Sequence, residues 1–453
     1  MNKVKYLIIG AGPAGLGAAY RLKDLGENDV LILDQNPWVG GLAASFLDSK
    51  GFTWDIGGHV QFSHYKYFDE VMELSLGKDG WLHHERESWV WMYDRFVPYP
   101  FQNNIRYLPK DVAWKCLRGV IDATARNSEK PRDFKEWILA VFGDGIADEF
   151  MLPYNYKVWA YPPEEMAYQW IGERVSVIDL KRVAENIVLE KDDVSWGPNN
   201  MFQFPKQGGT GAIWEGVAKL VGNEKIRLNS EVVNVNSDEK SVTLKNGEKI
   251  FFENFLSTIP ITKLIELHQQ STSEMKDESK KFKHSSSNII GIGLEGKPKP
   301  DLEKKCWMYF PEHNCPFYRV TLFSKYSPNN VPDITKQFSL MTETSESTSK
   351  TVNQETLIEQ TIQGLLNTKL IESREQVIST WSYRAPYGYP TPFLERDNCL
   401  KKIIPALDSK GIYSRGRFGG WKYEVSNQDH SFMQGVEWTN FRVNGEKETT
   451  FTV

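Results

Sequence analysis

The alternation of apolar and polar positions divides the chain into a strand–helix–strand opening, a helical middle and two strand-rich stretches. Residues 4–9 are an apolar run of the kind that fills a buried parallel strand. Gly10, Gly12 and Gly15 follow at G-x-G-x-x-G spacing, after which Leu16, Ala19, Tyr20 and Leu22 keep a helical period. A second short apolar run at 30–33 ends on Asp34. Strand, glycine turn, helix, strand and acid in this order make a dinucleotide-binding unit. Gly10 permits the tight turn, Gly12 lets a pyrophosphate approach the backbone, and Gly15 lets the helix lie against the strand. Asp34 is placed to accept hydrogen bonds from a ribose.

From 102 to about 192 the pattern turns helical. Apolar residues recur three and four apart in 112–121 and 134–141, and the Pro162-Pro163 pair predicts a helix break. The glycine-rich stretch 207–211 precedes a predicted helix over 213–220. Short strands are expected at 226–228, 232–235, 241–244 and 249–252, with Asn246-Gly247 as a hairpin turn. Residues 271–287 read as a polar surface loop, 289 to about 340 as strand-rich, and the Ser/Thr/Glu tract 342–351 as a solvated turn. A helix is expected over 356–366, a strand over 411–414, and a helix over 427–437 with Asn427, Asp429 and Ser431 as candidate caps. The predicted fold is α/β and interrupted. A Rossmann-like domain is assembled from 1–100, 205–265 and 410–453, a helical insertion spans 101–204, and a β-rich antiparallel domain spans 266–409.

Composition narrows this picture. The 453 residues are too many for one core. A net charge of −5 and a pI of about 6.0 exclude a nucleic-acid partner or a polybasic membrane surface. Mean hydropathy is −0.47, and no apolar run approaches the roughly 18 residues of a membrane span. The first strand begins almost at once, which leaves no room for a signal peptide. Cys116, Cys306, Cys315 and Cys399 lack CxxC spacing and read as reduced thiols in a cytoplasmic protein with no metal site. Aromatic residues reach 13% with 15 Trp, bunched in segments that suit either a core or the walls of a ligand cleft.

Those segments carry the candidate chemistry. MLPYNYKVWAYP crowds Tyr154, Asn155, Tyr156, Trp159 and Tyr161 together, flat rings and an amide that suit a nucleobase as well as helix-end packing. WIGERV sets Arg174 among apolar residues, and CWMYFPEHNCPFYRV places Tyr309 and Arg319 in strand-like sequence. Such arginines either snorkel to the surface or pair with a buried anion. RGRFGGWKYEVSNQDHSFM gathers Arg417, Tyr423, Asn427, Gln428, His430 and Ser431 around a Gly-Gly turn into a helix N-terminus, a second place for anionic groups.

Taken together, GGLAASFLDSKGFTWDIGGHVQFSHYKYFD, VPYPFQNNI, MLPYNYKVWA, WIGERV, WGPNNMFQFPKQGGTGAIW, CWMYFPEHNCPFYR, YGYPTP and GRFGGWKYEVSNQDHSFMQGVE resemble the eukaryotic-type UDP-galactopyranose mutases. The resemblance runs in order over nearly the whole chain. It implies an isomerase that interconverts UDP-galactopyranose and UDP-galactofuranose with no net redox change. In that family FAD, held reduced by NADPH or NADH, acts as a nucleophile at the anomeric carbon. Two other readings stay open: a mutase for another UDP-sugar, and an amine-oxidase-like FAD oxidoreductase. A non-enzymatic nucleotide-binding or escort protein is a third. A homo-oligomeric assembly is compatible with the sequence.

The resemblance also assigns roles. His59, Arg174 and Arg319 are implied as catalytic, the arginines clamping the diphosphate and His59 lying beside the flavin ring. Tyr309, Tyr389 and Tyr423 are implied to hold the diphosphate, with Asn199 and Asn427 lining the same pocket, and Gln102, Phe150, Asn155 and Trp159 to grip the uridine. Gly10, Gly12, Gly15, Asp34, Gly40, Gly41, Leu42, Gly58, His59, Val233, Gly416, Arg417, Asn427, Gln428 and Ser431 are the implied FAD contacts. Arg86, Ser88 and Tyr99 match positions associated with NADPH. The helical insertion and the His59 loop are expected to close over UDP.

Overall fold

The opening unit folds as its pattern predicts. Lys3–Ile9 is a strand, Pro13–Asp24 a helix that starts directly after the glycine turn, and Val30–Leu33 a second parallel strand, with Ile8 paired to Ile32. The computed structural model describes residues 3–126, 129–172, 175–194 and 200–453. Arg174 and Asn199 lie outside the described residues.

Two seven-stranded sheets organise the chain. The first runs in the order Val232–Asn236, Ser241–Leu244, Lys249–Ser257, Lys3–Ile9, Val30–Leu33 and Ile226–Arg227, with Ile412–Ser414 also paired to Lys249–Ser257. Its central strands are parallel, with Ile8 opposite Leu256. Pro13–Asp24, Gly211–Val221 and the C-terminal Gln428–Asn444 bury Leu16, Ala18, Ile213, Trp214, Phe432 and Trp438 against it. Two glycines set the helix spacing: a Cβ on Gly435 would come within 2.0 Å of the Ala14 carbonyl oxygen, and one on Gly17 within 2.5 Å of that of Phe432.

The second sheet has the order Val377–Pro390, His284–Glu295, Gln337–Glu346, Arg319–Leu322, Trp307–Tyr309, Ser88–Met92 and Arg95–Pro98. It is antiparallel except where Trp307–Tyr309 runs parallel to Ser88–Met92. The helices Lys110–Ala125, Phe134–Ile146, Leu152–Trp159 and Leu180–Val188 form the insertion packed beside it. No helix among the described residues is long and apolar enough to cross a membrane.

The structure corrects four boundaries. Ser88–Met92 and Arg95–Pro98, placed by sequence in the Rossmann-like part, belong to the second sheet, because their register partner is the distant strand Trp307–Tyr309. The helix Arg396–Asp408 packs Leu400, Ile403 and Leu407 against Phe255 and Ile412, so it covers the first sheet and not the second. Residues 271–287 are no loop: Ser273–Ser279 is a helix, and His284–Glu295 starts a strand whose serines 285–287 are buried. The tract 342–351 is no solvated turn over its first half, because the strand Gln337–Glu346 runs through it with Thr342, Glu343, Thr344 and Ser345 buried. Most of its polar groups have partners inside the molecule: the Thr342 hydroxyl donates to the Ile290 carbonyl, and Glu343 accepts from Arg319, Tyr318 and Gly58. Ser345 and Ser347 donate to the carbonyls of Lys157 and Ala160 at the end of the helix Leu152–Trp159.

Candidate active site

A cavity of about 640 Å³ lies between the glycine turn, the edge of the second sheet and the N-terminus of Gln428–Asn444. At one end, Gly10 holds φ +102° and donates its N–H to the Leu33 carbonyl at 2.8 Å. Asp34 ties the turn to the second strand: Oδ2 accepts from the N–H of Ala11 at 2.7 Å, and Oδ1 from the backbone and side-chain nitrogens of Asn36 at 2.8 and 3.0 Å. Burial raises its carboxyl pKa, opposed by these same hydrogen bonds. Gly12 caps Pro13–Asp24 with no side-chain cap, and a Cβ there would meet nothing nearer than 3.9 Å, so this face opens onto the cavity. Gly15 does the opposite: its Cβ would sit 1.9 Å from the Gly10 carbonyl oxygen, the close helix–strand packing the sequence implied.

The remaining implied cofactor residues sort into three groups. Gly41, Leu42, Gly58, His59, Gly416, Arg417, Asn427, Gln428 and Ser431 line the cavity. Gly40 does not; it braces the loop by donating its N–H to the Ala11 carbonyl at 2.8 Å. Val233 is 40% exposed, while Val232, the first residue of the strand Val232–Asn236, lines the cavity with the preceding Ser230 and Glu231; alternation along the strand turns the two valines to opposite faces. The Gln428 side-chain oxygen Oε1 accepts from Trp214 Nε1 at 2.7 Å and Gln61 Nε2 at 3.0 Å. Asn427 stands at the N-cap without a side-chain capping bond, and Asp429 instead accepts from His64 and His430.

The other end of the cavity is cationic and aromatic. Arg319 forms a buried ion pair with Glu343, Nε donating to Oε1 at 2.6 Å and Nη2 to Oε2 at 2.5 Å. Burial disfavours both charges, yet the Coulombic attraction of Glu343 holds the guanidinium pKa well above its usual range, and that of Arg319, with its hydrogen bonds, holds the carboxyl below its own. Arg319 and Arg86 both lie over the Trp307 ring, at 4.5 and 4.7 Å from its centre. Arg86 also donates to Ser88 Oγ at 3.1 Å and approaches the Tyr309 hydroxyl at 3.5 Å. Around them run ring contacts: Tyr309 with Tyr99 at 5.2 Å and Tyr154 at 5.4 Å, and Trp159 with Tyr423 at 4.8 Å and Tyr389 at 5.8 Å. Arg417 lies over Tyr389 at 5.0 Å and donates to the Gly388 carbonyl.

Arg319, Tyr389 and Tyr423 therefore line the same cavity as the glycine turn, and Tyr309 stands just behind them. Phe150 is stacked on Tyr154 at 5.1 Å and on Phe101 at 4.5 Å. Gln102 and Asn155 are buried away from the cavity wall, donating to the carbonyls of Ser176 and Met151. His59 is the hinge between the two ends. Burial drives its pKa down to about 4; Arg319 and Arg417 push the same way, and Glu343 opposes them. Its Nδ1 is buried with no partner among the described residues. Glu343, Trp307, Tyr318, Gln61 and Trp214 are site residues that sequence reasoning did not single out. Trp307, Tyr318, Gln61 and Trp214 all fall within the strings quoted for the resemblance, and Glu343 alone of the five lies outside them.

The glycine cradle open at Gly12, the uncapped helix N-terminus and the orphaned nitrogen of His59 fit a dinucleotide with a heteroaromatic ring at its far end. Comparison with known proteins bears on which class this is. Residues 13–411 match the family described as flavin containing amine oxidoreductase. The fold of a putrescine oxidase structure superposes with a TM-score of 0.67 at 14% identity, over 97% of this chain and 98% of that one. Zeta-carotene desaturase of Zea mays is 38% identical over 78 residues, 17% of this chain, and the match spans only 13% of that protein's length. A crystal structure of reduced UDP-galactopyranose mutase superposes with a TM-score of 0.96 at 47% identity, covering 99% of this chain and 95% of that one. The chain belongs to the flavin-containing amine oxidoreductase family and, within it, to the UDP-galactopyranose mutases.

Proposed function

We propose that this protein interconverts UDP-galactopyranose and UDP-galactofuranose with FAD held in its reduced state. The observation that carries the reading is full-length similarity, 47% identical, to a reduced UDP-galactopyranose mutase, with Arg319 and the tyrosines facing the same cavity as the glycine cradle. The cradle Gly10–Gly12, Gly41 and Asp34 would hold the adenosine and pyrophosphate portions of FAD, and Gly416, Arg417, Asn427, Gln428 and Ser431 its far end. Reduced FAD, when bound, supplies the nucleophile for the anomeric carbon of the sugar.

The protein's own work is on the leaving group. Arg319, with Arg174 by resemblance, takes up the charge that grows on UDP as its bond to the sugar breaks, through paired charge-assisted N–H bonds. The hydroxyls of Tyr309, Tyr389 and Tyr423, with Asn199 and Asn427, hold the diphosphate while the sugar ring reopens and closes. By resemblance, Phe150 and Trp159 would grip the uridine, and Gln102 and Asn155 would join them only on leaving the backbone carbonyls they bond here. His59 stays a neutral imidazole and so adds no positive charge beside the ring. Arg86, Ser88 and Tyr99 receive NADPH for the priming reduction. Four buried, unpaired cysteines suit a cytoplasmic setting.

The test is direct. Dithionite-reduced holoprotein is incubated with UDP-galactofuranose, and UDP-galactopyranose is sought by chromatography, with oxidised protein as the control. Conversion by the reduced form alone, without stoichiometric consumption of NADPH or oxygen, is the expected result. Turnover coupled one-to-one to NADPH or oxygen identifies an oxidoreductase instead, and isomerisation of another UDP-sugar alone reassigns the substrate.

A further inference from the structure

Glu343 sits where three elements meet. It rises from the strand Gln337–Glu346 and is 2% exposed. Its Oε1 accepts from Arg319 Nε at 2.6 Å and from the backbone N–H of Gly58 at 2.9 Å. Its Oε2 accepts from Arg319 Nη2 at 2.5 Å and from the Tyr318 hydroxyl at 2.8 Å. A carboxylate offers about four acceptor directions, and four donors are in place here. Two come from the guanidinium that faces the cavity, one from the loop that carries His59, and one from Tyr318. The loop is seated at backbone distance: Gly57 holds φ +98°, and a Cβ on Gly58 would come within 3.2 Å of Oε1 and 3.1 Å of Thr321 Oγ1.

We propose that Glu343 is a positioning residue that links Arg319 to the Gly58–His59 backbone, so that an anion engaged by the guanidinium tightens the loop beside the flavin. Oε1 is the shared atom. Arg319 Nε–H and Gly58 N–H both draw on its charge, and donors on one oxygen compete. A diphosphate that draws the guanidinium toward the cavity loosens the Arg319–Oε1 bond and leaves Oε1 a stronger acceptor for Gly58. Binding of the leaving group and closure of the His59 loop thus become one event. The coupling to UDP rests on the reading of the cavity as a UDP-sugar site, whereas the link between Arg319 and the loop does not.

Amide hydrogen exchange of residues 57–59 in the FAD-loaded holoprotein tests it. Glu343→Gln replaces a charged acceptor by a neutral one and should speed exchange there by about tenfold. Arg319→Lys keeps a cation but removes the Nε donor, leaving Oε1 to Gly58, and should slow exchange about threefold. Opposite signs are the signature, because a pocket merely loosened by mutation speeds exchange in both variants. Unchanged or faster exchange in Arg319→Lys overturns the proposal, and that result decides alone if Glu343→Gln does not fold. UDP should slow exchange of 57–59 in the wild type and much less in Glu343→Gln. A full UDP response in Glu343→Gln also overturns the link. Absence of any UDP binding by the wild type overturns the proposed substrate, while the two-variant comparison still decides the link.

Discussion

Replacing Arg319 separates its two duties, balancing Glu343 and holding the diphosphate. Arg319→Ala leaves a carboxylate that is 2% exposed with no counter-ion, and breaking a buried pair from one side costs about 3–5 kcal/mol of stability. Arg319→Lys keeps a positive charge within reach of Glu343, so its stability loss should stay below about 2 kcal/mol, nearer that of one charged hydrogen bond. Lysine, however, is a point donor and cannot present the fork that grips two phosphate oxygens. Losing that grip costs about 1.5–3 kcal/mol in the transition state, which is roughly 10- to 100-fold in turnover. Both variants should therefore be slow, but only the alanine variant should be fragile, and both should retain FAD because the cradle lies at the opposite end of the cavity. Urea unfolding gives the first quantity; turnover per flavin at saturating UDP-galactofuranose, with dithionite reduction, gives the second. If Arg319→Lys keeps more than about a third of wild-type turnover, Arg319 does not serve the leaving group. If Arg319→Ala is as stable as wild type, the ion pair with Glu343 is not the buried contact described.

Two pH effects and one reductant effect follow from the same geometry. Asp55 is fully buried, accepts from Thr210 Oγ1 at 2.7 Å and Thr210 N at 3.1 Å, and burial pushes its carboxyl up to about 6. The folded state therefore binds this proton more tightly than the unfolded chain, and the contribution, about 3 kcal/mol, is full below the ordinary carboxylate value and lost as pH rises through about 6. Asp55→Asn should flatten that part of the stability–pH curve, and an unchanged slope in urea titrations between the two values refutes the assignment. His59 runs the other way: its pKa of about 4 lies below the unfolded value, so its share of stability is present above about 6.5 and lost as pH falls through about 4. Ring NMR of the holoprotein should find His59 neutral at pH 6, and a protonated ring there refutes the burial argument. Arg86→Ala should slow NADPH-driven flavin reduction by about tenfold more than it slows dithionite-primed turnover. Equal losses in the two assays would remove Arg86 from the reductant site.

What could be read from the sequence was whatever is local. The glycine turn, its flanking strands and Asp34 lie within one short segment, and each residue's duty follows from backbone geometry that neighbours alone determine. The same holds for the hairpin at Asn246-Gly247, where Gly247 takes φ +85°. The arginine and tyrosine assignments needed long matching strings, because Tyr309, Arg319, Tyr389 and Tyr423 converge only through strand pairing and an interrupted chain. The errors have a common cause. Residues 342–345 look like a turn because they are polar, yet they are a strand whose inward groups meet Arg319, Gly58 and the helix end at Lys157. Serines 285–287 look like loop for the same reason, although the strand Val377–Pro390 approaches so closely that a Cβ on Gly388 would lie 2.1 Å from Ser287 Oγ. The Val233 side chain points to solvent while that of its neighbour Val232 lines the cavity, a difference of one residue that only the strand register reveals. Polarity signals exposure only where a segment has water as its partner. Along the cavity edge the partners are other chain segments and the ligand, so the rule fails there first. The two polar strands that broke it, one carrying Glu343 and the other Ser287, are the ones that wall the site.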